Sequence, residues 1–160
     1  MSDANRLFGT TFATTDAAVA TPNSVSTYNV ATAVTYCIDG KAYEKATVSG
    51  GTTPTADPLS NTFNTLAVNK GCALVWTLTS GGTVGLWQSD VKDLDESGNF
   101  IVAPEFPSFD MDTYCPIGYT VLKNGSTGST FTVGSSNWNA TGMTATTVSV
   151  LTMPRRPQES

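Results

Sequence analysis

The sequence has no histidine, few charged residues and no long hydrophobic run, and each absence narrows its function. Without histidine, Ser–His and Cys–His nucleophile pairs are excluded, and a zinc site is almost excluded. No stretch approaches the ~18 apolar residues of a membrane-spanning helix. No G-x-S-x-G turn and no phosphate-binding glycine loop occurs either. We therefore expect the protein not to be an enzyme.

Charged residues are the second group of which the sequence has few. Charged residues make up 13% of the chain, about half the usual share, and the net charge is -5. Phosphate recognition needs a basic face, whereas here Arg155 and Arg156 are the only adjacent basic pair. We expect neither nucleic acid nor an anionic membrane as a partner. The N-terminus lacks a basic region followed by an apolar one, so we expect no secretory signal and synthesis in a cytoplasm.

Cysteine is sparse as well, and its spacing favours no cofactor. Cys37, Cys72 and Cys115 are an odd number at wide spacing, with no C-x-x-C pair. Free cysteines are often buried, so buried free thiols are the favoured interpretation. One disulfide with one free thiol is the alternative. We expect no cofactor and no structural metal.

What the sequence has in abundance is Thr, Ser, Asn and Gly, a composition that suits strands and turns. Residues 1–27 show no helical or alternating period, and we interpret them as an extended, flexible N-terminal arm. Residues 28–153 read as a single β domain. Residues 154–160 form a Pro/Arg tail, which proline keeps out of a sheet interior.

Short apolar runs separated by turn residues predict the strands of this domain. The strongest run is 72–79, which Ser80-Gly81-Gly82 joins to 83–88 as a hairpin. Asp39-Gly40 predicts another hairpin turn, and residues 104–109, with two Pro and two Phe, predict an irregular connection on the surface. Further strands are predicted near 30–38, 42–48, 65–69, 116–123, 129–133 and 143–152. The fold class is therefore all-β, an antiparallel β-sandwich or small barrel.

Acidic residues concentrate in one stretch, which offers two candidate sites: a pair of catalytic carboxylates and a calcium loop. A glycosidase uses a pair of carboxylates, but acidic loop residues are usually only solvated, and we favour that interpretation. The candidates are Asp90, Asp93, Asp95, Glu96, Glu105, Asp110 and Asp112.

Within that stretch, Asp93, Asp95 and Ser97 are spaced like the first half of a calcium loop. The twelfth position of such a loop is Pro104 instead of the bidentate Glu. The same residues are typical of a hairpin turn between strands that end near Leu94 and resume near Phe100. We favour the turn.

Aromatic residues offer one candidate contact site. Trp138 lies in a polar loop between Asn137 and Asn139, and we expect it to be exposed and available to a ligand or partner. Trp76 and Trp87 fall within the predicted hairpin, which indicates core packing for at least one of them.

Several segments resemble small virion proteins of tailed phages that decorate or cement the capsid, or form head fibres. The segments that carry this resemblance are 36–41, 70–76, 98–100, 115–124, 128–134, 136–139, 143–150 and 153–157. The resemblance covers roughly residues 28–157. It implies a structural protein on the capsid surface, the major capsid protein as partner, many copies or a homo-oligomer, and no catalytic residues.

Two functions follow as expectations. In the first, the protein binds the outer capsid surface of the virion and reinforces it, with the arm residues Arg6, Phe8 and Phe12 ordering along a capsid subunit. In the second, the protein is a carbohydrate- or receptor-binding module of a phage fibre or tail, and Trp138 contacts the ligand.

Overall fold

The structure, a computed structural model, describes residues 11–21 and 25–157, and all of its regular elements in these ranges are β-strands. The strands are β1 (Phe12–Ala13), β2 (Val19–Ala20), β3 (Thr27–Val30), β4 (Val34–Ile38), β5 (Lys41–Lys45), β6 (Val48–Thr52), β7 (Lys70–Leu78), β8 (Val84–Gln88), β9 (Lys92–Asp93), β10 (Cys115–Asn124) and β11 (Met143–Ser149). The predicted all-β class is confirmed.

These strands form three antiparallel sheets. The central sheet has the order β11-β10-β7-β8, with β9 paired to the other end of β7. Two smaller sheets have the orders β1-β4-β5 and β2-β3-β6. The sheets do not close into a barrel, so the fold is sandwich-like.

Strand β7 is the strand that the sequence predicted most strongly, and it lies in the middle of the central sheet. It pairs with β10 on one edge and with β8 and β9 on the other. Every residue of β7 from Gly71 onward is buried. A strand covered on both faces explains why residues 72–79 are almost continuously apolar instead of alternating with polar residues.

Strand β10 contains a proline in the interior of the sheet, at a place where the pairing is irregular. The register with β7 shifts between Pro116 and Gly118. A bulge is one of the few places where a sheet tolerates proline, which has no backbone donor. The extra residue also changes the side-chain parity, so Ile117 and Leu122 reach the same hydrophobic cluster although one number is odd and the other even.

The central sheet separates two hydrophobic clusters. The larger one contains Trp76 and packs the central sheet against the two small sheets, and we call it the Trp76 side. The other contains Val75, Trp87, Tyr119 and Val121 and is covered by irregular chain, including Phe106; we call it the Phe106 side. Consecutive residues of β7 therefore face different environments, as the pleat of a strand requires.

The Asp39-Gly40 turn is confirmed, and its backbone explains its composition. Both residues have positive φ, 47° and 75°, which is the requirement of the two-residue turn that matches the twist of a hairpin. Glycine adopts that conformation freely, and aspartate tolerates it better than most residues do.

The domain begins earlier in the chain than Tyr28. Residues 11–21, which the sequence assigned to the arm, supply β1 and β2, and these strands pair with β4 and β3. The side chains of Ala13, Ala17 and Val19 are buried. The sequence hides this segment because small side chains and backbone hydrogen bonds hold it, and neither produces a hydrophobic period.

Two predicted strands are reduced to one bridge. The runs 65–69 and 129–133 meet only where Leu66 and Phe131 exchange backbone hydrogen bonds. Both side chains are buried, but the amide of Asn124 donates to the carbonyls of Leu66 and Ser129 and so takes the place of a longer ladder. Side-chain hydrogen bonds of this kind compete with sheet formation.

Candidate binding surface

The Phe106 side of the central sheet is the surface on which irregular chain lies. Residues 101–114 contain no strand, as the two prolines predicted. Phe109 stacks on Trp87 with ring centroids 5.6 Å apart, and Phe106 meets Tyr119 edge-on at 5.1 Å. The two aromatic contacts hold the connection against the sheet at separations typical of favourable ring pairs.

A turn fixes the end of this connection. The carboxylate of Asp110 accepts hydrogen bonds from the Thr113 hydroxyl and from the backbone N–H of Asp112. The Thr113 hydroxyl, followed by the Asp112 amide, lowers the pKa of Asp110, because both donors stabilise its charged form. Asp110 therefore organises the turn, which accounts for one of the acidic residues of the stretch.

A cleft of about 470 Å³ opens between the connection and the edge of β8. Trp87 and Phe106 contribute its aromatic wall. Polar side chains surround them; these include Asp57, Asn61, Gln88, Asp90, Lys92 and Glu105. A depression that combines aromatic carbons with converging donors and acceptors has the chemistry of a site for a small polar ligand.

The acidic groups of the cleft are not equivalent. Asp57 Oδ1 accepts the backbone N–H groups of Leu59 and Asn61, so this carboxylate already serves its own loop. The side chain of Asp90 is 91% exposed, and its oxygen lies 4.0 Å from Lys92 Nζ. An exposed pair at that distance contributes little, so Asp90 is open to a ligand. Glu105 is exposed as well.

A second depression, a groove of about 510 Å³, shares Glu105 and Phe106 with the cleft. Residues 102–106 form one wall, and Arg155 and Arg156 form the other. Val102, which lines the groove, is 62% exposed, and Ile101, which precedes it in the chain, is 66% exposed. The structure thus places the only adjacent basic pair of the chain at one groove with the exposed aliphatic side chain of Val102.

The expectation that Trp138 is exposed is wrong. Only 3% of Trp138 is accessible, and it belongs to the Trp76 side. Its ring lies 6.3 Å from that of Trp76, and Nε1 donates to the carbonyl of Thr27. Asn137 and Asn139 are exposed, so a polar loop inserts one aromatic side chain into the core while its neighbours face solvent.

The residues proposed for the capsid contact lie mostly outside the described part. Arg6 and Phe8 fall outside the described residues, and their role stays a prediction. Phe12 is half-buried in β1, where it pairs with Cys37 of β4. Phe12 therefore belongs to the folded domain.

The favoured interpretation of the acidic hairpin is confirmed. Leu94 and Phe100 form an antiparallel bridge, and the Asp95 carboxylate accepts the backbone N–H groups of Ser97 and Asn99. Asp93 instead forms an ion pair with Lys70 on β7. In residues 11–21 and 25–157, no cluster of three or more Cys, Asp or Glu side chains is arranged to hold a metal.

All three cysteines are free, as the favoured interpretation predicted. Cys72 and Cys115 are buried, and Cys37 is half-buried. Burial raises the pKa of both Cys72 and Cys115 to about 12, because a thiolate loses its hydration inside the protein. These two thiols are poor nucleophiles at neutral pH.

The sequence did not reveal which distant residues share a surface. Asp57 and Asp90 meet at one cleft, and Val102 and Arg155 at one groove, although long stretches of chain separate them. The two prolines of the connection, the acidic candidates Asp90 and Glu105 and the pair Arg155-Arg156 marked parts of the region in advance, but not that they lie together. Among the residues described, no helix is long and apolar enough to cross a membrane. Comparisons with protein-family models, curated proteins and solved structures give no match to this chain.

Proposed function

We propose that the protein is a non-enzymatic structural component of a tailed-phage virion that binds the outer surface of the capsid and reinforces it. The observation that carries the proposal is the groove, in which the exposed Val102, preceded in the chain by the exposed Ile101, shares a depression with an arginine pair on an otherwise acidic chain. The resemblance of several segments to capsid decoration proteins supports the same role.

The groove suits adhesion to a protein surface that is partly acidic and partly apolar. Single exposed aliphatic residues are ordinary, but Ile101 and Val102 are consecutive and both about two-thirds exposed. Arginine offers a planar set of donors that matches a carboxylate. Apolar contact would supply affinity, and the charges would orient the two surfaces.

A small contact of this kind suffices when many copies bind one particle. Each copy that touches two capsid subunits gains from the high effective concentration of the second contact. The major capsid protein is therefore the proposed partner, and many copies per particle are expected. The proposed location is the capsid surface of the virion.

Quantitative mass spectrometry of purified particles tests this proposal through the copy number relative to the major capsid protein. We expect hundreds of copies per particle, because decoration follows the symmetry of the shell. A handful of copies would contradict decoration and favour a fibre or tail component.

The groove itself is tested by adding recombinant protein to particles that lack it. The double variant Ile101→Ser, Val102→Ser should lose most of its occupancy. Val25→Ser, Val68→Ser is the matched control, because it replaces two aliphatic residues that are exposed elsewhere. Equal occupancy of both variants would exclude the groove as the contact.

The arm hypothesis needs a deletion that spares the fold. Removing residues 2–15 would delete β1 and the buried Ala13, so loss of binding would not be interpretable. Deleting residues 2–9 leaves β1 intact. Full occupancy of that shorter variant would exclude Arg6 and Phe8 as capsid anchors.

The second candidate function is a carbohydrate- or receptor-binding module of a fibre or tail, and the cleft favours it. Sugars are bound by hydrogen bonds to their hydroxyl groups and by aromatic rings against their C–H faces. Phe106, Asp90 and Glu105 supply these groups, whereas the buried Trp138 does not.

A glycan array distinguishes this second candidate. The double variant Asp90→Ala, Glu105→Ala should lose glycan binding, whereas the double variant Glu96→Ala, Asp112→Ala should keep it. This result would support the cleft as the binding site, because each double variant removes two exposed acidic groups. No binding to any glycan, together with a high copy number, would exclude this function in favour of decoration.

A further inference from the structure

Strand β11 is an edge of the central sheet, and its backbone hydrogen bonds divide by residue parity. In the register of this pair, Val150 N donates to Ile117 O and Gly125 N donates to Gly142 O. Even-numbered residues therefore bond to β10. The backbone groups of odd-numbered residues point away from the sheet.

Three of these outward residues, Ala145, Thr147 and Ser149, have no backbone partner within the part of the chain that the structure describes, although the side chain of Ser149 is engaged. The N–H of Met143 donates to Ala140, and the hydroxyl of Ser149 accepts the N–H of Val19. Between them, the N–H and C=O groups of Ala145 and Thr147 have no such bond. These groups form a short template for an additional strand.

Strand β11 also lacks the features that protect other edges of this molecule. It contains seven residues with no charge, proline or glycine. In contrast, β5 carries Lys41, Glu44 and Lys45, and β6 contains Gly50 at positive φ and an irregular register with β3. The edge strands β1 and β2 are only two residues long. Charge, bulges and short length are the usual protections of an edge.

Of the remaining edges, β9 is only two residues long, and β8 is covered by side chains. Gln88 exchanges hydrogen bonds with the backbone of Asn64, and Pro58 lies against Gly85. Among the long edges described, β11 is therefore the one without a charged residue, and the contacts that β2 and Ala13 make with it lie at its C-terminal end, at Ser149 and Leu151.

We propose that β11 pairs antiparallel with β11 of a second copy of this chain, about a two-fold axis at Thr146. In this register Ala145 of each copy exchanges both backbone hydrogen bonds with Thr147 of the other, so the outward N–H and C=O groups of these two residues are satisfied. Thr146 of one copy lies opposite Thr146 of the other. Because β11 carries no charged residue, no like charges meet in this pairing, although the chain as a whole is acidic. Threonine pairs are among the favourable cross-strand pairs.

The proposal concerns the free protein and does not depend on the capsid role. A contact this small falls below the size of a standard interface, so we expect the dimer to be weak. Its Kd should nevertheless lie below ~1 mM, so that the dimer forms at the highest concentration tested. On a particle, the same pairing would link neighbouring copies and add to their avidity.

Sedimentation equilibrium of the free protein at rising concentration, up to ~1 mM, is the first test. We expect a monomer–dimer equilibrium that Thr146→Lys abolishes, because it places two like charges directly opposite each other. Ser49→Lys adds the same charge to another exposed edge, β6, and should dimerise like the wild type. A strictly monomeric wild type, or equal loss in both variants, would overturn the proposal.

Proline provides a second variant with a defined structural reason. Ala145→Pro removes an N–H that points away from β10, so the domain should fold while dimerisation is lost. Far-UV circular dichroism checks the fold. Retained dimerisation in folded Ala145→Pro would overturn the proposal. A monomeric wild type together with an Ala145→Pro variant that loses occupancy on capsids would also overturn it, because the strand that pairs with β11 would then belong to the capsid.

Cross-linking tests the register directly. In a Cys37→Ser background, Thr146→Cys should form a disulfide-linked dimer on oxidation, because directly opposed residues have Cα atoms about 4.5–5.5 Å apart. Ala145→Cys is the control, because Ala145 of one copy and Ala145 of the other are offset by two residues along the strands, beyond the reach of a disulfide. Cross-linking of Ala145→Cys but not Thr146→Cys would exclude the proposed register.

Discussion

The two sides of the central sheet are built from the same strands but covered in different ways. On the Trp76 side, two small sheets close over the aromatic cluster, and Trp76 has no accessible surface. On the Phe106 side, an irregular connection covers the cluster and leaves a cleft and a groove along its borders. Regular sheets seal a surface, whereas a loop leaves depressions with polar rims, where binding sites usually occur.

The largest expected effect comes from opening the sealed side. Trp138→Ala removes a buried ring and its hydrogen bond to Thr27, and it should lower the free energy of unfolding by about 3–5 kcal/mol. Urea denaturation measures the change. Asn139→Ala, next to it and exposed, should stay within about 0.5 kcal/mol of the wild type. Similar values for both variants would mean that Trp138 does not belong to the core.

A smaller effect tests polar satisfaction on the same side. The Trp76 indole N–H donates to Thr120 Oγ1, which also shares a hydrogen bond with Thr147. Thr120→Val keeps the shape but leaves a buried donor unpaired, so it should cost about 1–3 kcal/mol. Thr35→Val, exposed on β4, is the matched control and should be nearly neutral. Equal stability of the two variants would contradict the buried network.

On the Phe106 side, the same kind of truncation should cost less. Phe109 is half-buried against Trp87, so Phe109→Ala should lower the free energy of unfolding by about 1–2 kcal/mol. Exposure of the Trp87 ring should also shift tryptophan emission to longer wavelength. Leu59→Ala, at the exposed border of the cleft, should change neither quantity. A loss as large as that of Trp138→Ala would remove the contrast between the two sides.

The smallest effect lies in the acidic hairpin at the border of the sheet. Hydrogen bonds from backbone N–H groups, that of Asn99 first, lower the pKa of Asp95 below its usual 3.8. Its contribution to stability is therefore present at neutral pH and is lost as the pH falls through the lowered pKa. Asp95→Ala should be less stable than wild type at pH 7 and should converge with it in acid.

Glu96→Ala is the control for this hairpin, because it removes the neighbouring exposed carboxylate. Thermal unfolding between neutral and acidic pH compares the two variants. A difference for Asp95→Ala that stays constant down to the lowest pH would show that the carboxylate charge is not responsible.

Local features of the fold could be predicted because local chemistry specifies them. The apolar run of β7, the Asp39-Gly40 turn and the Asp95 hairpin follow from burial on two faces, positive φ and side-chain capping. Strands β1 and β2 could not be predicted, because small residues there are held by backbone pairing with strands distant in the chain. The burial of Trp138 could not be predicted, because its polar neighbours indicate a loop but not the direction in which the Trp138 side chain points.

The sequence by itself determined the all-β class, the main hairpins and the irregular connection with its two prolines, and it favoured free cysteines over a disulfide. Only the tertiary structure decided which residues are buried on each side, which edge of the central sheet lacks protection, and which distant residues meet at the cleft and the groove. The reason is physical. Turns and strand patterns depend on neighbours along the chain, whereas clefts and open edges arise from contacts between segments that are far apart in sequence.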